Sequence, residues 1–203
     1  MNNYFIILAA GSSKRFDAKK RKQYFLYKNK EIFEHSIEKT VKSKLFKKIV
    51  LVVDNPKKIS KRYKKNVLII RGGKERSDSS LIALKKIYKY KPFNVLIHDA
   101  ARPDFSIKLL KELIENLKKN IAVVPVIRSK DTIKYKVKGS IYNLDRKNAF
   151  LTQTPQAFRF KQLFDLATKE KLRINDEATL FINKNYKIKF IQGENQNNKI
   201  TYK

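Results

Sequence analysis

Tyr4-Phe5-Ile6-Ile7-Leu8-Ala9-Ala10-Gly11-Ser12-Ser13-Lys14-Arg15-Phe16 is the stretch on which the fold turns. Its apolar first half has no polar side, which predicts a strand buried on both faces, as in a parallel sheet covered by helices. It ends at two alanines and a glycine. Ala9 and Ala10 leave room at the strand end, and Gly11 lets the backbone turn main-chain N–H groups toward a bound group. Lys14 and Arg15 follow with positive charge. A phosphate cradle at the end of the first strand of an α/β sheet fits these residues. An ordinary strand-to-loop turn with solvated basic side chains fits them equally well.

Working outward, the rest of the chain favours the first alternative. Apolar residues recur at helical spacing over 32–41, and 48–53 reads as a second buried strand. A short basic helix is expected over 57–64 and a third strand over 67–70. Ser77 or Asp78 is placed to cap a helix with Leu81, Leu84, Lys85 and Tyr88 along one side and Ile82 and Ile87 widening the apolar face. A fourth strand over 94–97 runs into His98-Asp99-Ala100-Ala101-Arg102-Pro103. A helix over 106–118 and a fifth strand over 121–127 follow. Strand–helix alternation of this kind predicts an α/β fold, doubly wound, with a mostly parallel sheet and helices on both faces.

The rhythm breaks at residue 129. Residues 131–143 alternate polar and apolar around Gly139-Ser140, which predicts a β-hairpin arm at about 129–147. A two-stranded ribbon is marginal in water on its own, so it should pack on something, and a second copy of the chain is the natural partner. A short strand near 149–152, helices over 159–169 and 176–183, and a last strand over 187–192 complete a single domain spanning 1–203. The helix at 176 is expected to be capped by Asn175 or Asp176, and the polar tail from 195 reads as partly loose.

Composition narrows the classes. The chain has no cysteine, which excludes disulfides, thiolate metal sites and a cysteine nucleophile. No apolar run approaches the ~20 residues of a membrane span, and the N-terminus lacks the order of a signal peptide, so a cytoplasmic location is expected. The net charge is +30, from 48 basic and 18 acidic residues, yet ten of the basic residues are Arg and 38 are Lys. The lysines are spread along the whole chain beside many Asn and Ile. General residue bias explains this better than a nucleic-acid surface. The charge would still attract polyanionic small substrates.

Ligands of open parallel sheets bind beyond the C-terminal strand ends. Three such ends carry suggestive groups: Gly11, Lys14, Arg15 and Lys22 after the first strand, Gly72, Gly73, Arg76 and Ser79 after the third, and Asp99, Ala100 and Arg102 after the fourth. Together they offer phosphate-binding amides, fixed cations and one carboxylate fit to hold Mg²⁺ through oxygen. That inventory suits phosphoryl or nucleotidyl transfer, where charge on phosphorus is neutralised and two partners are held in line. No nucleophilic side chain is required. His98 reads as a side chain that orients the loop beside Asp99.

The motifs Leu8-Ala9-Ala10-Gly11-Ser12-Ser13-Lys14-Arg15-Phe16, Lys22-Gln23-Tyr24, Gly72-Gly73-Lys74-Glu75-Arg76-Ser77-Asp78-Ser79 and His98-Asp99-Ala100-Ala101-Arg102-Pro103 occur in order. So do Asp131-Thr132, Asp145-Arg146, Thr154-Pro155-Gln156, Asp176-Glu177-Ala178 and Asn197-Asn198-Lys199-Ile200-Thr201. The series resembles the 2-C-methyl-D-erythritol 4-phosphate cytidylyltransferase family over nearly the whole chain. The resemblance implies transfer of CMP from CTP to the methylerythritol phosphate, with Mg²⁺, in the non-mevalonate route to isoprenoids. It implies that Ala9, Ala10, Gly11, Gly72 and Ser79 hold the nucleoside side. Arg15 and Lys22 would neutralise the triphosphate and transition state, and Lys199 would reach the reacting phosphates. Asp99 would hold Mg²⁺ and Arg102 the polyol phosphate region. Thr132 and Arg146, on the arm, would serve the site of the other subunit in a homodimer. Arg21 and Asn198 depart from the usual family pattern. A ribitol 5-phosphate cytidylyltransferase and a non-catalytic basic nucleic-acid-binding protein are the alternative readings.

Overall fold

The computed structural model describes residues 2–11, 21–170 and 174–201. The first strand, β1 (Asn3–Ala9), lies at the centre of an eight-stranded sheet and is buried along its entire length. Its alternate side chains go to opposite faces. Phe5 and Ile7 join one core cluster, while Tyr4, Ile6 and Leu8 join the other. Burying each such side chain is worth about 1.5–3 kcal/mol, so a strand apolar on both sides belongs only in a sheet covered twice.

After a 3-10 turn at Lys22–Tyr24, a small ribbon of β2 (Leu26–Tyr27) and β3 (Lys30–Glu31) leads into α1 (Ile32–Ser43). Then come β4 (Lys48–Val53), β5 (Val67–Arg71), α2 (Arg76–Tyr88), β6 (Asn94–Asp99), α3 (Ile107–Asn116) and β7 (Ala122–Arg128). The hairpin is β8 (Ile133–Val137) and β9 (Ser140–Leu144). The chain ends with β10 (Phe150–Thr152), β11 (Gln156–Arg159), α4 (Phe160–Lys169), α5 (Ala178–Ile182) and β12 (Lys189–Gln192). The sheet order is β10-β7-β11-β6-β1-β4-β5, with β12 beside β7. Residues of α1 and α3 pack in the cluster of Phe5, and those of α2, α4 and α5 in the cluster of Tyr4. The doubly wound, mostly parallel α/β architecture is therefore present. Among the described residues no helix is long and apolar enough to cross a membrane.

Several local expectations change. Residues 57–64 form no α-helix but two 3-10 turns, Pro56–Lys58 and Lys61–Tyr63, each opened by a side chain, Asn55 and Ser60. Helix α2 is capped not by Ser77 or Asp78 but by Glu75, in a reciprocal capping box with Asp78. Its buried side is Ser79, Ser80, Ala83, Leu84 and Ile87, and Tyr88 lies exposed. Strand β11 was not expected. It runs antiparallel between β6 and β7, so the fourth and fifth strands of the alternation are not neighbours. The hairpin turn falls on Lys138-Gly139, both with positive φ (47° and 93°), the pair of angles that a two-residue turn between twisted strands needs. The tail is not loose either: Asn197 is fully buried.

Candidate active site

Register brings the three loops together. Leu8 pairs with Asp99, and Ala9 with Val53, which in turn pairs with Arg71. The chain therefore leaves β1, β5 and β6 at the same level. A cavity of about 700 Å³ opens there. Ala9, Ala10 and Gly11 line it from β1, and the turn 73–77 with Ser79 lines it from the start of α2. Asp99 and Ala100 close its floor, while Lys22, Lys199 and Thr201 approach from elsewhere. Arg15 lies outside the described residues.

Two glycines explain the shape of the wall. A Cβ on Gly72 would sit 2.5 Å from the Ala10 Cβ and 2.6 Å from the Ser79 Oγ, so only glycine lets this loop close on β1. Gly72 supports the wall from behind, and Gly73 is the residue that faces the cavity. The Ser79 hydroxyl accepts from the Gly73 N–H and donates to the Glu75 carbonyl, both at 3.1 Å, and so fastens the same turn. Gly11 does not adopt positive φ, so the backbone angle expected of it is not used there.

Asp99 is the electrostatic centre. Arg76 Nε donates to its Oδ1 at 2.8 Å, and Lys199 Nζ donates to its Oδ2 at 2.7 Å. Burial would raise the pKa of this carboxyl, but Arg76 and Lys199 overcome it and hold the pKa well below the usual carboxylate range. Burial would lower the Arg76 pKa, but Asp99 and Glu177 more than offset it and raise it above the usual value. Glu177, buried at the entry to α5, takes the Arg76 Nη1 and Nη2 at 2.9 and 3.0 Å. Next to Asp99, His98 points the other way, between Phe5 and Phe105. The Asp99 N–H donates to the Thr154 hydroxyl at 3.0 Å, and the same hydroxyl shares a hydrogen bond with the His98 Nδ1 at 3.1 Å. Burial drives the His98 pKa down to about 3, so the imidazole is neutral and sets the loop rather than moving protons.

The lysines are placed by backbone. Lys22 Nζ donates to the Ile200 carbonyl at 2.8 Å. Its segment is moored to the strand ends: Arg21 reaches the Ala10 carbonyl and Asp54, and the Tyr24 hydroxyl donates to Asp54 at 2.6 Å. The tail carrying Lys199 is pinned at Asn197, whose Nδ2 donates to the Thr154 carbonyl at 2.9 Å. Arg102 Nη1 donates to the Asn197 carbonyl at 2.8 Å and Nη2 to that of Thr152 at 3.2 Å. Ile200 N–H donates to the Ala101 carbonyl at 2.9 Å. Arg102 thus braces the tail and does not line the cavity. Thr132 and Arg146 stand exposed at the base of the hairpin arm, away from the cavity lining, and Arg146 donates to the Lys130 carbonyl at 3.1 Å.

Comparison with known proteins fixes the family. The sequence model of "IspD: 2-C-methyl-D-erythritol 4-phosphate cytidylyltransferase" matches residues 4–203. This chain belongs to that family. The 2-C-methyl-D-erythritol 4-phosphate cytidylyltransferases are CTP-dependent nucleotidyltransferases of isoprenoid biosynthesis. The "Bifunctional enzyme IspD/IspF" of Pelagibacter ubique is 49% identical over 203 residues, which are 99% of this chain and 55% of that protein. The chain thus spans about half the length of the bifunctional relatives it matches. The 2-C-methyl-D-erythritol 4-phosphate cytidylyltransferase of Caldicellulosiruptor saccharolyticus is 32% identical over all of this chain and 93% of its own length. The crystal structure of 4-diphosphocytidyl-2C-methyl-D-erythritol synthase from Anaerococcus prevotii superposes with a TM-score of 0.87 at 29% identity, covering 98% of this chain and 90% of that one.

Sequence reading gave no role to the supports of this site, although Thr154, Glu177 and Asn197 stand in motifs quoted above. These three and Asp54 do not line the cavity, yet they hold the β6 loop, Arg76, the tail and the Lys22 segment. One signal was present: in a chain with 18 acidic residues against 48 basic ones, each carboxylate that ends a strand or opens a helix stands out.

Proposed function

We propose that this chain transfers CMP from CTP to 2-C-methyl-D-erythritol 4-phosphate. An oxygen of the polyol phosphate forms a bond to the CTP α-phosphorus, the α–β bridging P–O bond breaks, and pyrophosphate leaves with that electron pair. The observation that carries this reading is the cavity itself, at the ends of β1, β5 and β6, lined by Lys22 and by Arg76 and Lys199 paired on the buried Asp99 carboxylate. Such a set neutralises phosphate charge and needs no side-chain nucleophile, because the attacking phosphate is already ionised at neutral pH. The turn at 73–77 and the Ala9–Gly11 backbone would take the nucleoside end. Lys22, with Arg15, would take the triphosphate, and Lys199 the incoming phosphate.

Mg²⁺ is part of the proposal. Among the described residues no cluster of three or more His, Asp or Glu side chains could hold a metal by itself. Mg²⁺ in nucleotide sites is commonly held by one or two carboxylates with substrate phosphates completing the shell. Asp99, a hard oxygen donor kept ionised in the cavity floor, fits that mode. When bound there, the ion would offset phosphate charge. The homodimer is proposed on the hairpin arm, whose Tyr135, Val137, Tyr142 and Leu144 are exposed. A cytoplasmic location is proposed because CTP is found there.

The test is pyrophosphate release from CTP offered with 2-C-methyl-D-erythritol 4-phosphate or with ribitol 5-phosphate, with and without Mg²⁺. Turnover with the first alone is the expected outcome. Turnover with ribitol 5-phosphate alone would replace the assignment.

A further inference from the structure

Arg76 is shared between two carboxylates in an unequal way. Glu177 takes both terminal nitrogens, fork on fork, at 2.9 and 3.0 Å, and Asp99 receives only the Nε–H. The backbone of Arg76 is fixed, because it is the first residue of α2 behind the Glu75–Asp78 capping box. Glu177 is 1% exposed and does not line the cavity, which it meets only through Arg76. Asp99 therefore keeps its second oxygen turned to Lys199, a cavity-lining cation. A guanidinium without Glu177 would hold two strong donors in a buried place, and the other Asp99 oxygen is an acceptor within its reach.

We propose that Glu177 is a positioning residue for the transfer reaction: by occupying both Arg76 termini, it stops Arg76 from closing over Asp99 and keeps one Asp99 oxygen for Lys199. Four charges alternate in a row, Glu177, Arg76, Asp99 and Lys199, and sum to zero. Arg76, Asp99 and Lys199 line the cavity, and Lys199 stands at the end of the row farthest from Glu177. This role rests on the transferase reading for its kinetic consequence and on geometry alone for its structural one.

The experiment is Glu177→Gln in the full chain, read by crystal structure and by steady-state kinetics. The amide keeps shape but offers one Arg76 terminus a donor instead of an acceptor. Arg76 is expected to turn bidentate on Asp99, with Lys199 displaced beyond ion-pair distance. A fall in kcat of about 10- to 100-fold is expected, the range seen when support behind a site is lost, with the KM for CTP within about threefold. An unchanged Asp99–Lys199 pair overturns the proposal, as does a kcat within about threefold of the parent once Arg76 has turned. If the single variant fails to fold, Arg76→Gln/Glu177→Gln removes the buried pair together, a change that is often tolerated. With no Arg76 left to close over Asp99, the crystal structure of this double variant should keep the Asp99–Lys199 pair, and a Lys199 displaced from Asp99 there also overturns the proposal. A parent inactive on CTP would count against the transferase reading, while the crystal structure still decides the relay.

Discussion

His98 shows most clearly how a residue's neighbours decide what it does. Sequence places it beside the one carboxylate of the site, where an imidazole invites a proton-transfer role. Burial between Phe5 and Phe105, and the Thr154 hydroxyl aimed at Nδ1, leave it neutral, with its pKa lowered to about 3. The sign of the consequence is fixed. The unfolded chain takes up a proton near pH 6.5 and the folded one does not until about pH 3, so stability falls as pH drops through this window. By pH 5 the loss from this residue alone reaches roughly 2 kcal/mol. His98→Asn, which keeps an oxygen acceptor for Thr154, should flatten the fall in Tm between pH 7 and 5 relative to the parent chain. Parallel Tm slopes for the two proteins would show that His98 titrates normally. Asp99, Lys22 and Lys199 were legible in sequence because their residue types stand beside strand ends or in short motifs. Glu177 also stands in a quoted motif, but its role was not legible, because its partner Arg76 lies 101 residues away and nothing local marks the pairing.

At the scale of elements, what was legible followed periodicity. Strands β1, β4 and β6 each carry an unbroken apolar run, at 4–9, 49–53 and 95–97, and were found close to their observed limits. Strand β11 was missed because Gln156–Arg159 is short and leads directly into α4, so no alternation announces it. The tail after β12 is polar, and polarity was taken for looseness. Its Asn197 and Glu194 are instead structural, the first bonded to Thr154 and the second to the Ser106 backbone and hydroxyl at the head of α3. The hairpin arm is present where the sequence placed it, and its register separates its two faces. Ile133 faces Leu144 and Tyr135 faces Tyr142, whose rings stack at 5.5 Å, so one side of the ribbon is apolar while Lys134 and Asn143 occupy the other. An apolar ribbon face left in water is costly, which is why we expect a second chain to cover it. On that arrangement Arg146, at the arm's base, serves the site of the other subunit. Arg146→Ala should then raise the KM for the polyol phosphate about tenfold or more, the cost of one charge-assisted hydrogen bond, and leave the KM for CTP within about twofold. Equal losses for both substrates would remove Arg146 from the polyol phosphate site.

For the whole molecule the question is whether a net charge of +30 does anything. The composition, 38 Lys against ten Arg spread along the chain, argues for residue bias rather than a built nucleic-acid surface. The cations that matter for chemistry are few and individually held: Arg76 by two carboxylates, Lys199 by Asp99, Lys22 near the Ile200 carbonyl. The ion pairs of Arg76 with Asp99 and Glu177 are largely buried and should be insensitive to salt. The diffuse lysines act differently. They raise the potential around the cavity mouth, which speeds encounter with a triphosphate, and mobile ions screen that effect over about 10 Å at 0.1 M and about 3 Å at 1 M. The two contributions separate in a salt series. Between about 0.01 and 0.5 M monovalent salt, kcat/KM for CTP should fall roughly tenfold while kcat stays level, because only the encounter is steered. A kcat that falls in parallel would mean that the held cations themselves are exposed to screening, contrary to the burial of the Arg76–Asp99 pair. A flat kcat/KM would mean that the surplus lysines cancel at the mouth. Tight RNA or DNA binding with a steep salt slope and no turnover would instead favour the nucleic-acid reading, since release of many counterions is the mark of phosphate-backbone contacts.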